Sequence, residues 1–329
     1  MMADLRAGLI GLGMMGRHHA RVLRSLSGVD LVAVADAGGD RHGAAAGLDV
    51  LPDIESLIAT GIDYAVVALP TVLHESAAQA LADAGVHAMI EKPLAPEPEA
   101  ARRIATRFAE VGLVGAVGHI ERFNPALREL RARLEQGELG DIYQVQTRRQ
   151  GPFPARIADV GVVKDLATHD IDLTAWMTRS EYTSIAAQVG HKSGRDHEDL
   201  VAATGRLSNG AVVNHLVNWL SPMKERLSMV TGERGAFVAD TLTADLTWFA
   251  NGTVATEWEA VAGFRGVSEG DMVRFAFAKP EPLKTEHEAF RDAVLGLDSD
   301  IVTMEQGLAT VSVAEAVIES ARTNTTITF

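Results

Sequence analysis

No cysteine occurs anywhere in the chain, which excludes disulfides, thiolate nucleophiles and cysteine-ligated zinc or iron-sulfur centres. The same absence fits a reducing compartment. Basic residues are in deficit: 30 Lys and Arg against 44 Asp and Glu leave a formal charge of −14. A non-specific nucleic-acid binder needs clustered cations to neutralise phosphates, so no nucleic-acid partner is expected, and any anionic ligand must be held by local groups. No apolar stretch approaches the roughly 18 uncharged residues of a membrane span. Asp4 and Arg6, followed by a short apolar run, do not form the layout of a signal peptide. A cytoplasmic protein without membrane association is the expectation.

What is present is ordinary globular composition, 47% hydrophobic and 22% charged, over a length that predicts two domains. Short aliphatic runs at Leu5–Ile10, Leu31–Ala35, Tyr64–Leu69, His87–Ile90 and Leu113–His119 alternate with helix-length patterns at Met15–Leu26, Asp53–Ala59, Val72–Ala84 and Pro96–Val111. Continuous apolar strands separated by helices indicate a buried, doubly wound parallel sheet. After position 120 the pattern changes. Helices are expected at Pro125–Gln136 and Lys164–Met177, with a strand at Ile142–Arg149 between them. Strands dominate from Ser184. Asn209-Gly210 lies between Leu200–Leu207 and Ala211–Leu220, and Asn251-Gly252 between Leu246–Ala250 and Val254–Trp258, both being turn dipeptides of tight hairpins. Helical patterns return at Leu283–Leu295 and Glu305–Arg322. The expected architecture is α/β: a Rossmann domain over 1–120, then an α+β domain over 121–329 with a large, mainly antiparallel open sheet for substrate binding and self-association.

Gly11-Leu12-Gly13-Met14-Met15-Gly16 follows the first strand and opens the first helix. In that context Gly11 serves the tight turn, Gly13 lets the backbone approach a pyrophosphate, and Gly16 allows close helix–strand packing, with the Met14 and Met15 backbone at the phosphates. Asp36, twenty positions on, is placed to accept hydrogen bonds from ribose hydroxyls, which favours NAD over NADP. Arg41 is near enough in sequence to reach a 2′-phosphate, though a lone loop arginine is more often a surface charge. His18 and His19 read as packing or solvent-facing residues. Pro70 and Lys92 fall at carboxyl ends of predicted parallel strands, the ligand edge of such sheets. Asp165 and His169 lie four apart on a predicted helix and share a face, where a carboxylate fixes an imidazole tautomer and raises its basicity. Such a pair is also a common structural device. Asp170 and Asp172 are open to either reading, and no metal-ligand spacing involves His191, His197 or His215.

Together with the glycine loop, Ala68-Leu69-Pro70-Thr71-Val72-Leu73-His74, Glu91-Lys92-Pro93 and Asp165-Leu166-Ala167-Thr168-His169-Asp170 make the chain similar to the Gfo/Idh/MocA oxidoreductase family over essentially its whole length. The resemblance implies an NAD(P)-dependent dehydrogenase acting on CH–OH groups of a sugar-type substrate. It adds Leu69, Pro70, His74, Glu91 and Lys92 to the cofactor site, and assigns Lys92, Asp165 and His169 to catalysis, with His169 as general base. Gly118–Pro125, Gly151–Arg156 and Asp159–Val163 resemble the branch acting on nucleotide-linked sugars such as UDP-N-acetylglucosamine. From that branch follow His119, Arg122, Asn124 and Arg156 as substrate contacts beside Lys92, Asp165 and His169.

Arg122, Arg148, Arg149 and Arg156 are then candidates to hold a diphosphate. Arginines on a strand and loop are equally often solvated or at subunit contacts. Inositol or free-aldose oxidation within the same family is the nearer alternative function, and a non-catalytic NAD-binding sensor the more distant one. Apolar residues on both faces of the strand Val212–Trp219 suggest a sheet face covered by a second copy, as a homodimer or homotetramer.

Overall fold

In the computed structural model, which describes residues 4–154, 160–252 and 270–329, the chain forms two units. One comprises residues 1–120 and 281–312, the other 121–280 and 313–329. This differs from a split into two consecutive blocks, because the segment opening at Glu281 groups with the first unit. Phe290 explains why: it is 1% exposed within the first unit's core, its ring 5.3 Å from that of Tyr64 at 82°. Such edge-to-face pairs add about 0.5–1.5 kcal/mol beyond their buried area.

The first unit contains β1 (Leu5–Ile10), α1 (Gly16–Ser25), β2 (Val29–Ala35), β3 (Val50–Leu51), α2 (Ile54–Ile58), β4 (Tyr64–Val67), α3 (His74–Asp83), β5 (His87–Glu91), α4 (Pro98–Val111) and β6 (Gly115–Gly118). All pairings are parallel, in the order β3-β2-β1-β4-β5-β6. The strands read as unbroken apolar runs because helices cover both faces; all four residues of β4 are buried. Local signals set the helix ends. Asp53 caps α2 by accepting from the Ser56 N–H at 2.8 Å, and α4 opens with Pro98 and stops at Gly112, whose φ is 66°. The strand order reverses between β1 and β4, which opens a crevice at their carboxyl ends.

Among the described residues the second unit has nine strands: β7 (Ile142–Pro152), β8 (Tyr182–Gly190), β9 (Leu200–Leu207), β10 (Val212–Asn218), β11 (Leu220–Gly232), β12 (Gly235–Asp240), β13 (Asp245–Ala250), β14 (Met272–Arg274) and β15 (Ile327–Thr328). Their order is β14-β13-β12-β11-β7-β10-β9-β8-β15. Every pairing is antiparallel except β7 with β10, so the sheet is mixed where consecutive hairpins alone would have been antiparallel. The Asn209-Gly210 turn joins β9 to β10, with Gly210 at φ 90°. The strand expected at Val254–Trp258 lies outside the described residues. Helices α5 (Pro125–Glu135) and α6 (Thr168–Thr178) belong here; α7 (Pro282–Val294) belongs to the first unit, and the division between units falls within α8 (Met304–Thr323). The helix expected from Lys164 begins instead with a π turn, Val163–Ala167, before α6. Among the described residues, no helix is long and apolar enough to cross a membrane.

Along β10, Val213, His215 and Val217 are buried while Leu216 is exposed, the period-two alternation of a sheet with one packed face. Between the strands, His215 Nδ1 lies 2.7 Å from Thr147 Oγ1 and Nε2 2.8 Å from Tyr182 Oη. These hydroxyls satisfy a neutral ring. Burial lowers the His215 pKa to about 4. The unfolded chain therefore binds the extra proton first: this contribution to stability is complete above about pH 6.5 and is lost as pH falls from there toward 4. Its size is about 3 kcal/mol. Urea titrations at pH 7 and pH 4.5 should show a steep loss of stability in the wild type and a shallower one in His215→Gln.

Candidate functional site

The crevice of the first unit is formed by backbone contacts that only glycine permits. Gly11 has φ 91°, and a Cβ there would collide with the Ala68 carbonyl; one at Gly16 would collide with the Gly11 carbonyl. Gly11 N–H donates to the Ala35 carbonyl at 2.8 Å, and Ala68 N–H to the Ile10 carbonyl at 2.8 Å. The loop is thereby sewn between β2 and β4. At Gly13, by contrast, an added Cβ would meet nothing within 4 Å. The fold itself does not need that glycine, and the space beside it is open to a close-approaching ligand. No side chain caps α1 and its first turn holds no acid, so no carboxylate competes for the positive end of the helix dipole, the setting an anionic pyrophosphate favours. Met14 and Met15 lie between these glycines, with Met14 43% exposed.

Asp36 follows directly on β2, and its oxygens accept from Leu12 N–H and Gly38 N–H, each at 2.7 Å. These bonds fix the carboxylate against the glycine loop. Arg41 is exposed on the following loop, passing near Gly38. At the ends of β4 and β5, Leu69 and Lys92 are half-buried, Pro70 exposed and Glu91 buried. His74 sits behind them, 1% exposed. Its Nε2 is 3.0 Å from the Leu69 carbonyl and its Nδ1 3.0 Å from that of Pro93. Burial lowers its pKa despite these carbonyls, which favour the charged form. The ring thus ties the Leu69–Pro70 turn to the Lys92–Pro93 turn, and its polar atoms face protein.

His119 is also buried, at the end of the first unit. Of the two readings for His19, packing or solvent-facing, the structure shows the first: it is buried, and bonded to Glu91 at 2.8 Å, a bond that spacing alone did not signal.

In the second unit, Asp165 lies in the π turn and His169 in the first turn of α6, both buried. The spacing of four remains roughly one turn, so both stay on one side of the segment, and single π turns recur at functional sites. Asp170 and Asp172 are both engaged by arginine. Arg149 Nε donates to Asp170 at 2.9 Å and its Nη1 to Glu121 at 2.9 Å. Burial raises the Asp170 pKa against the opposing Arg149 charge. In Glu121 burial acts the same way, but Arg149, together with Arg226 and Thr241, outweighs it and the pKa falls.

Arg122 grips Asp172 through Nε at 2.7 Å and Nη2 at 2.5 Å, a bidentate fork in a buried site. Arg148 is on the opposite face of β7 from Arg149, since successive strand residues alternate, and pairs with Glu225 at 2.6 Å. Three of the four arginines considered for a diphosphate therefore carry internal carboxylate partners, and Arg156 lies outside the described residues. Asn124 caps α5, accepting from Ala126 N–H at 3.0 Å while its amide donates to the Thr241 carbonyl at 3.0 Å.

Residues 5–119 match the model of an oxidoreductase family with an NAD-binding Rossmann fold, and residues 127–238 that of a GFO/IDH/MocA C-terminal domain. A UDP-N-acetylglucosamine 3-dehydrogenase of Acidithiobacillus ferrooxidans is 34% identical over 65% of this chain and 66% of its own length, just under two thirds of that relative. An inositol 2-dehydrogenase of Saccharopolyspora erythraea is 29% identical over 98% of this chain and 94% of its own. The solved structure of the Acidithiobacillus enzyme superposes with a TM-score of 0.83 at 26% identity, covering 98% of this chain and 99% of that one.

Replacing Gly13 by Ala should leave thermal stability within about 0.5 kcal/mol of wild type, because nothing in the fold meets the new methyl. NADH binding followed by fluorescence should weaken by about tenfold or more as the methyl enters the pyrophosphate's path.

Proposed function

The chain belongs to the Gfo/Idh/MocA family of oxidoreductases, and on that footing we propose that it is an NAD-dependent dehydrogenase that oxidises a ring hydroxyl of a sugar, with a nucleotide sugar of the UDP-N-acetylglucosamine class as substrate. The observation that carries the reading is the complete glycine cradle, with Gly13 open to a ligand; the Lys92 and Asp165/His169 elements, similar to those of the family, are the groups proposed for the chemistry. NAD supplies the hydride acceptor. Lys92 Nζ donates a hydrogen bond to the reacting hydroxyl oxygen and steadies the charge that develops there. His169 takes the hydroxyl proton on its imidazole, and Asp165 orients that ring. The substrate carbon becomes a carbonyl as hydride and proton leave separately, and the protein contributes orientation and electrostatics.

One observation favours a second substrate class. With Arg122, Arg148 and Arg149 held by carboxylates, a neutral polyol such as an inositol needs none of them, whereas a diphosphate must find other cations, Arg156 among them. We also propose that a second copy covers the open face of the nine-stranded sheet, where Gln146, Arg148, Ala202, Thr204, Leu216 and Met229 line a hollow of about 530 Å³.

NADH formation measured with purified protein, NAD and a panel of UDP-N-acetylglucosamine, its uronate, myo-inositol and simple aldoses separates the readings. Turnover confined to the UDP-sugars supports the first; turnover confined to polyols or aldoses moves the substrate and keeps the chemistry. In either case Lys92→Met should lower kcat by about 10²–10⁴-fold with NADH affinity nearly unchanged. Unaltered turnover in that variant would remove Lys92 from the reaction.

A further inference from the structure

Behind Lys92 the first unit buries four ionisable side chains that the proposed chemistry does not use: His19 on α1, Glu91 at the end of β5, and Glu286 and His287 on α7, each no more than 8% exposed. Glu91 is the junction. Its Oε1 lies 2.8 Å from His19 Nε2, and its Oε2 accepts from the Lys92 main-chain N–H at 3.0 Å. Room for the carboxylate is left by Gly118 on the neighbouring strand, where a Cβ would stand 3.3 Å from Glu91 Cδ. Beyond His19, its Nδ1 lies 2.9 Å from His287 Nε2.

Hydrogen-bond chemistry gives this chain a direction. A carboxylate only accepts, so the His19 proton facing Glu91 is on Nε2. Among the described residues His287 Nδ1 is buried without a partner, and a buried N–H lacking an acceptor is rarer than a bare lone pair. The His287 proton is therefore on Nε2, where it donates to His19 Nδ1. Every donor in the chain points toward Glu91. Burial and the Glu91 charge push Glu286 well above the ordinary carboxyl range, toward its neutral form.

We propose that His19, braced by His287, is a positioning residue: it holds the Glu91 carboxylate in the place where that carboxylate fixes the main chain of Lys92. Because His19 stands on the helix that begins at the glycine loop, the helix that would face the pyrophosphate and the root of the reacting lysine are fastened together by one hydrogen bond on either side of Glu91. The functional half of this inference rests on the proposed role of Lys92; the structural half does not.

The direct test uses the full chain without cofactor. Long-range 1H–15N spectra should find His19 and His287 both protonated at Nε2; a proton on Nδ1 of either ring overturns the chain's direction. Exchange of the Lys92 amide proton should accelerate by about tenfold or more in His19→Leu and return toward wild type in His19→Gln, which keeps a donor near the Nε2 position. Unchanged exchange in His19→Leu overturns the clasp. With a turned-over substrate in hand, His19→Leu should lower kcat by up to about a hundredfold while KM for NAD moves little, and Gln should restore part of it. If Lys92→Met leaves turnover intact while amide exchange behaves as stated, the role of Lys92 fails and the clasp stands. Should His19→Leu not fold, the wild-type tautomers decide.

Discussion

The contact on which the first unit depends is the approach of three backbone segments at the end of β1, where Gly11, Gly16 and Ala68 leave no space for a single additional carbon. It fixes where α1 begins and how closely it lies on the sheet. Its consequences run in both directions along that helix. Toward the crevice, an uncapped N-terminus faces the place where a pyrophosphate belongs. Toward the sheet, His19 arrives within hydrogen-bond distance of Glu91. A bulkier residue at either glycine would displace both ends of this arrangement together, because a helix moves as a rigid body.

The two units bury charge by different means. In the first, the Glu91 carboxylate is held by an imidazole and a main-chain N–H, with the neighbouring acid Glu286 pushed toward its neutral form by burial. In the second, charge meets charge: Arg122 with Asp172, and Arg149 with both Asp170 and Glu121. Removing one member of such a pair leaves its partner charged and buried, which is more costly than never having built the pair. These arginines are therefore parts of the second unit's architecture. The relatives include proteins named for a diphosphate-bearing substrate and for a neutral polyol.

Much of the glycine loop and its setting was legible in advance because its requirements are local. A strand, three spaced glycines, a helix and an acid at the end of the next strand are consecutive in the chain, and each has one physical reason to be there. The second unit was less legible for the opposite reason. Arg148 and Arg149 are adjacent in sequence and lie on opposite faces of β7, and whether Arg122 reaches a ligand or a carboxylate depends on Asp172, fifty residues away. The π turn at Val163–Ala167 shares its hydrophobic pattern with an α-helix, so periodicity could not distinguish the two.

The sequence by itself determined the doubly wound sheet, the glycine cradle, the Asp36 position and the presence of a strand-rich second half, since each follows from periods and spacings within a few dozen residues. Only the tertiary structure decided that residues 281–312 pack with the first unit, that His74 bonds to carbonyls, that His19 joins Glu91, and that the second unit's arginines close on its own acids. Those outcomes rest on contacts between residues from 5 to 268 positions apart, and the distant ones form only once sheets have brought the strands together. Hydrogen bonds of that kind leave no period in a sequence, because their partners are chosen by where the backbone places them.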